Sequence, residues 1–84
     1  MHDFHLADSI YKTIIDYAAK NGLKKIIKVA IELGSVVEHG EEVLPQNLEF
    51  NIKMLAEGGI AEGLAVEISR GAGGNWTLKE IEGE

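Results

Sequence analysis

The first three residues, Met1, His2 and Asp3, carry the donor groups of a compact metal chelate. The α-amine of Met1, the deprotonated backbone nitrogen of His2 and its imidazole can close two fused rings around one ion. Asp3 adds a carboxylate or a backbone nitrogen. Nitrogen donors in one plane suit Ni(II) or Cu(II), whereas hard ions prefer oxygen donors. The competing interpretation is that His2 is an ordinary terminal residue and that Asp3 caps the following helix.

Two further histidines could add donors. A helix that begins by Phe4 would turn His5 toward its solvated side, so we interpret His5 as an exposed histidine rather than an extra ligand. His39 lies in an acidic segment with Glu38 and Glu41, where both a secondary cation site and an ordinary acidic loop remain open. No set of nucleophile, base and orienting group is recognisable, so we do not expect an enzyme.

The composition limits the classes of function. The chain has 84 residues, which is room for one domain. Its 14 acidic and 8 basic residues give a net charge of −6, which repels phosphate and anionic lipid, so neither nucleic acid nor a membrane is an expected partner. The sequence contains no cysteine, which excludes thiolate metal sites. No leader pattern or long apolar run is present, and we therefore expect a cytoplasmic protein.

The spacing of apolar residues predicts two helices and three strands. The order αβαββ predicts an α+β fold, with two helices packed on one face of a three-stranded mixed sheet. The predicted elements are a helix over 4–21 ended by Gly22, a strand over 25–33, a loop over 35–43, a helix from Pro45 to Gly58 and Gly59, a strand over 64–68 and a strand from Trp76.

The apolar stripes also predict the core. The glycine-rich link over 70–75 is short, so the last two strands are expected to form an antiparallel hairpin. Phe50 and Met54 are either packed beneath the first helix, which we expect, or exposed as a docking patch. The apolar stripes comprise Leu6, Ala7, Ile10, Ile14, Tyr17 and Ala18 on the first helix, Ile27, Val29, Ile31 and Leu33 on the first strand, and Leu44, Leu48, Ile52, Leu55 and Ala56 on the second helix. The side chains expected to close the core are Leu6, Ile10, Ile14, Ile27, Val29, Ile31, Leu48, Ile52, Val66, Ile68, Trp76 and Leu78.

Several short segments, taken in order, carry a family resemblance. They are the opening residues 1–3, LADSI at 6–10, KVAIELG at 28–34, LEF at 48–50, GIAEG at 59–63 and LAVEI at 64–68. In order and spacing they resemble the HypA-type accessory proteins, which deliver nickel to maturing nickel–iron hydrogenase and, in some organisms, to urease. The resemblance implies a non-enzymatic nickel carrier whose partners are a maturation GTPase and the hydrogenase large subunit, and it is compatible with a homodimer.

The resemblance also assigns ligands. In that family an opening Met-His-Glu binds nickel, which implies the same role for Met1 and His2. Asp3 stands where the family usually has glutamate, and its carboxylate is one methylene shorter.

One part of the family pattern is replaced in this chain. Family members insert a zinc lobe with two Cys-x-x-Cys pairs where this chain has the glycine-rich loop at 70–75, so we expect Ni(II) but no zinc. The sequence therefore predicts a single nickel-binding domain over 1–84. The alternative is a metal-free interaction module that retains the fold and docks a maturation partner through Phe50, Met54 and the acidic loop.

Overall fold

The computed structural model describes residues 4–38 and 40–84 and confirms the predicted α+β class. Two helices pack on one face of a three-stranded mixed sheet, and a two-stranded hairpin lies beside it. None of the described helices has the length and apolar character needed to cross a membrane. The elements are α1 (Phe4–Lys20), β1 (Ile26–Leu33), β2 (Val37–Glu38), β3 (Glu41–Glu42), α2 (Pro45–Ala56), β4 (Ala65–Arg70) and β5 (Trp76–Gly83).

The end of α1 follows the prediction. Gly22 adopts a φ of 70°, and the Leu23 N–H donates to the Ala18 carbonyl at 2.9 Å, which is the bond that closes a helix with a left-handed cap. The predicted apolar stripe of the helix includes Tyr17, but its side chain is 52% exposed, so the stripe is not buried at this position. Tyr17 lies on the flank of α1 above β5, an edge strand beyond which no described strand continues the sheet to cover it.

The strand order in the sheet is β4–β1–β5, so β1 is central. It pairs in parallel with β4, where Val29 is opposite Val66, and antiparallel with β5, where Val29 is opposite Ile81. The predicted hairpin between the last two strands is therefore wrong. The distance from β4 to β5 across β1 is only two strand spacings, or about 9.6 Å, which the short loop can span. The central strand is β1, which has the most buried side chains of the three.

The start of β1 differs from strict alternation. Pairing with β5 shifts register between Ile26 and Lys28, which marks a β-bulge or irregularity. Ile26 is consequently fully buried, whereas Ile27 is 44% exposed. The prediction that Ile27 belongs to the core is wrong by one residue.

The prediction that residues 35–43 form a loop is wrong, because this segment contains two short paired strands. Strands β2 and β3 pair antiparallel, with Val37 opposite Glu42, and the chain turns at Gly40, whose φ is 84°. The Val43 N–H donates to the Val36 carbonyl at 2.8 Å, and the Val43 side chain is buried. The hairpin thus leads the chain from the sheet into α2.

Helix α2 begins at Pro45 as predicted, since a proline at the first helical position loses no intrahelical hydrogen bond. Leu48, Ile52 and Ala56 are fully buried. Leu44 is 45% exposed, so its predicted place on the apolar stripe with Leu48 and Ile52 is wrong, because it precedes the first turn of the helix.

Candidate functional site

The predicted ligands Met1, His2 and Asp3 lie outside the described residues, and the structure instead shows what they are attached to. Helix α1 begins at Phe4, directly after them. Its first turn is held against the core by Leu6 and Ala7, of which Ala7 is fully buried. The described chain is therefore anchored to the core from the first turn of α1 onward.

The start of α1 lies at a particular end of the domain. Residues 21–25 join the end of α1 to the start of β1, so the helix runs back along the sheet and begins toward the end of β1. The glycine-rich loop crosses the sheet there, since the Gly71 N–H donates to the Leu33 carbonyl at 2.9 Å. The hairpin of β2 and β3 leaves β1 at the same end. Topology thus places the start of α1, this loop and the acidic hairpin at the same end of the domain.

The crossing of the loop over β1 requires a glycine at the end of the strand. The Gly34 N–H donates to the Asn75 carbonyl and the Ser35 N–H donates to the Gly73 carbonyl, both at 2.8 Å. A Cβ at Gly34 would lie 2.5 Å from the Gly73 carbonyl oxygen, closer than real Cβ atoms approach. Gly34 therefore lets the loop close directly on the strand.

The charges at this end are mostly solvated. Arg70 contacts the Glu42 carboxylate at 3.4 Å, and both side chains are well exposed, so this ion pair contributes little to stability. Within residues 4–38 and 40–84, no three or more His, Cys, Asp or Glu side chains form a group that could hold a metal. His5 is exposed, as predicted, and His39 lies outside the described part of the chain.

The structure also decides between the two interpretations of Phe50 and Met54 that the sequence allowed. Phe50 is 63% exposed and Met54 is 40% exposed, so the expectation that they pack beneath α1 is wrong. Helix α1 meets α2 along another flank, where Leu55 shares a groove with Tyr11 and Ile15. Burial in this region raises the pKa of the Tyr11 hydroxyl.

The open face of the sheet carries a charge cluster that sequence reasoning missed. The Lys28 ammonium lies 3.3 Å from Glu67 on β4 and 3.6 Å from Glu82 on β5. A hydrogen bond and the negative charge of Glu67 raise the pKa of Lys28. Only the strand register brings these three residues together, and no local sequence pattern could have shown it.

Comparison with known proteins assigns the family. The family model described as "Hydrogenase/urease nickel incorporation, metallochaperone, hypA" matches residues 1–76. This chain belongs to the HypA family. The match begins at the predicted chelate and ends at Trp76, the first residue of β5, so it covers nearly the whole HypA-type domain described above.

Individual HypA proteins show the same relationship. The chain is 35% identical over 91 residues to the hydrogenase maturation factor HypA of Thermococcus onnurineus, covering 99% of this chain and 63% of that protein. It is 37% identical over 90 residues to the HypA of Pyrococcus abyssi, covering 98% and 62%. The chain thus spans less than two thirds of the length of these relatives.

A solved structure shares the fold. The solution structure of the Ni metallochaperone HypA from Helicobacter pylori aligns with a TM-score of 0.79, covering 99% of this chain and 97% of that one. Only 13% of the aligned residues are identical, so this likeness concerns the fold alone.

Proposed function

We propose that this domain is a nickel carrier that holds Ni(II) at Met1 and His2, with Asp3 contributing its backbone nitrogen or its carboxylate. The observation that carries the proposal is the family match, because it extends over residues 1–76 and so includes all three residues. The donor set suits the ion independently of the family, since amine, amide and imidazole nitrogens favour planar Ni(II).

The nickel is proposed to be cargo for the maturation of nickel–iron hydrogenase in the cytoplasm. The relatives from Thermococcus and Pyrococcus are described as hydrogenase maturation factors, which supports this destination. Urease is a second proposed destination, because the matching family description includes it. A carrier needs no catalytic group, and we propose that the domain binds and transfers the ion to a maturation GTPase and the hydrogenase large subunit without enzymatic activity.

The glycine-rich loop stands where zinc ligands would be expected from the family resemblance. Zinc would need ligands, and the 84 residues contain no cysteine. We propose that the loop at 70–75 closes the domain where the family resemblance implies a zinc lobe, and that nickel binding here does not depend on zinc.

A second candidate function is a protein-interaction module without nickel traffic. The exposure of Phe50 and Met54 favours it, because large apolar side chains one helical turn apart form a surface that a partner could cover. The two functions are separable, since the first needs His2 and the second does not.

Calorimetric titration with Ni(II) tests the proposal on material in which Met1 is the first residue. His2→Ala should weaken Ni(II) binding by more than tenfold, or about 1.4 kcal/mol, because it removes the imidazole and opens one chelate ring. His5→Ala is the matched control, being an exposed histidine on the first turn of α1, and it should bind as the parent does. Equal affinity of His2→Ala and the parent would contradict the proposal.

The pH dependence provides a second readout. Affinity should fall as pH drops from about 7.7 to 6.5, where the α-amine and the imidazole take up protons that compete with the metal. Acetylating the α-amine of Met1 should weaken binding as well, because it removes the terminal amine from the chelate. Tight binding that persists well below this pH range would indicate carboxylate ligands instead.

A further inference from the structure

Strand β5 forms one open edge of the sheet. It pairs with β1 on one side, and within the described part of the chain no strand lies on its other side. The Glu84 N–H donates to the Lys25 carbonyl at 2.8 Å, and the Glu84 carbonyl accepts from the Lys25 N–H at 3.1 Å. Backbone groups alternate in direction along a strand, so those of Gly83 and Ile81 point away from β1. An edge strand presents such groups as a template for another strand.

A β-bulge limits how much of this edge can pair. The register shifts by one residue between Ala30 and Ile31, because Glu80 and Leu78 are their partners and Lys79 is opposite neither. Lys79 is therefore the extra residue of the bulge on β5. Bulges end or redirect strand pairing. An added strand would consequently pair with the part of β5 that follows the bulge.

A pocket lies at the bulge, between β5 and α1. Thr13 and Tyr17 line it from the helix and residues 78–81 line it from the strand, around a volume of about 220 Å³. This is smaller than the about 300–1,000 Å³ of a pocket for a drug-sized ligand, so it suits a single side chain. Peptide recognition by strand addition combines backbone hydrogen bonds to an open edge with pockets for alternate side chains. The edge of β5 offers both features.

The charges of β5 indicate what kind of segment it accepts. Glu80 and Glu82 are exposed and lie on the opposite face of the strand from Ile81, because successive side chains alternate. Opposite charges directly across two strands are favourable, whereas like charges are unfavourable. The complementary segment therefore carries basic residues on one face and apolar residues on the other. A second copy of β5 does not meet this requirement, because it would place glutamate opposite glutamate.

We propose that the edge of β5 binds an extended segment of another protein, in which basic and apolar residues alternate, by antiparallel strand addition. One apolar side chain of the segment enters the pocket beside Tyr17, and the two basic side chains that flank it face Glu80 and Glu82. Antiparallel pairing is slightly more stable per residue than parallel pairing. The contact uses none of the proposed nickel donors and goes beyond the proposed function.

Calorimetry with a synthetic peptide tests the backbone contact. The probe is an acetylated and amidated heptapeptide that alternates lysine and leucine and has lysine at both ends. In the antiparallel arrangement the leucine opposite Ile81 exchanges backbone hydrogen bonds with it, whereas the lysine backbone groups point away from β5. N-methylation of the leucines should therefore weaken binding at least tenfold, or about 1.4 kcal/mol. N-methylation of the lysines is the matched control and should leave binding nearly unchanged. Equal affinity of the leucine-methylated and unmodified peptides would overturn the proposal.

Amide hydrogen exchange locates the bound peptide. The N–H groups of Ile81 and Gly83 point away from β1, so they should exchange more slowly once the peptide is bound. The N–H groups of Glu80 and Glu82 point toward β1, where these residues pair with Ala30 and Lys28, and they should change little. Unchanged exchange at Ile81 and Gly83 in the presence of saturating peptide would contradict pairing at this edge.

Three variants test the pocket and the charges. Thr13→Phe should fill the pocket from the exposed side of α1 and weaken peptide binding at least tenfold. Glu80→Lys should weaken binding by a similar factor, because it places like charges opposite one another. Glu62→Lys makes the same change in net charge on the exposed turn before β4 and is the matched control, which should lose far less affinity. Circular dichroism checks that each variant is folded. An equal loss in Glu62→Lys and Glu80→Lys would show a response to net charge alone and would overturn the proposal.

Discussion

Replacing Gly34 with alanine should destabilise the domain by preventing the closure of the glycine-rich loop on β1. The new Cβ would lie 2.5 Å from the Gly73 oxygen and 2.8 Å from the Asn75 oxygen, which are the acceptors of the two loop hydrogen bonds. Overpacking costs about 1–3 kcal/mol, and weakening two backbone hydrogen bonds adds about 0.5–1.5 kcal/mol each. Restricting the unfolded chain offsets about 0.4–1 kcal/mol.

These contributions add up to a net loss of about 1–6 kcal/mol, centred near 3 kcal/mol, which is a large fraction of the ~5–15 kcal/mol of a typical domain. Urea unfolding followed by the fluorescence of Trp76 measures it, because this single tryptophan pairs with Leu33 beside the loop. Gly74→Ala is the matched control, since a Cβ there meets only the Ser35 oxygen at an ordinary 3.5 Å. That variant should be neutral or slightly stabilised. Equal stability of the Gly34 and Gly74 variants would refute this account of the loop.

Three further outcomes are expected. Ile26→Ala should lower the free energy of unfolding by about 2–5 kcal/mol as a core truncation, whereas Ile27→Ala should change it by about 0.5 kcal/mol or less. A lower urea midpoint for Ile27→Ala than for Ile26→Ala would contradict the burial of Ile26. The contribution of Lys28 to stability should be complete below its ordinary pKa of 10.5 and should be lost as pH rises through its raised pKa, because Glu67 favours the charged form. In urea titrations at increasing alkaline pH, Lys28→Met should therefore lose less stability than the parent does. Chelator treatment should leave the thermal midpoint unchanged, since cysteine-bound zinc is not available to the fold, and a large drop would reveal a structural metal.

Elements that depend on neighbouring residues were predictable from the sequence. The period of apolar residues located both helices, and Gly22 and Pro45 marked a helix end and a helix start through their own backbone preferences. The order of elements was sufficient for the α+β class. The chemistry proposed for Met1 and His2 also comes from the sequence, because it rests on adjacent donor atoms in the chain rather than on distant contacts.

Pairings between distant segments could not be predicted in the same way. Strand periodicity is the same whichever neighbour a strand has, so it could not show that β1 separates β4 from β5. A link that reaches across two strand spacings satisfies the hairpin and the observed order equally well. The hairpin of β2 and β3 escaped notice because two residues per strand show no period.

The sequence by itself determined the helices, the number of long strands, the family and the donor atoms of the proposed nickel site, since each depends on local order along the chain. Only the tertiary structure decided which side chains are covered. Ile27 is exposed because a bulge shifts the register of β1, and Tyr17 is exposed because the sheet ends at β5. Phe50 and Met54 are exposed because α1 lies along the other flank of α2. Burial is a property of what packs against a surface, and that is settled only when all the elements are in place.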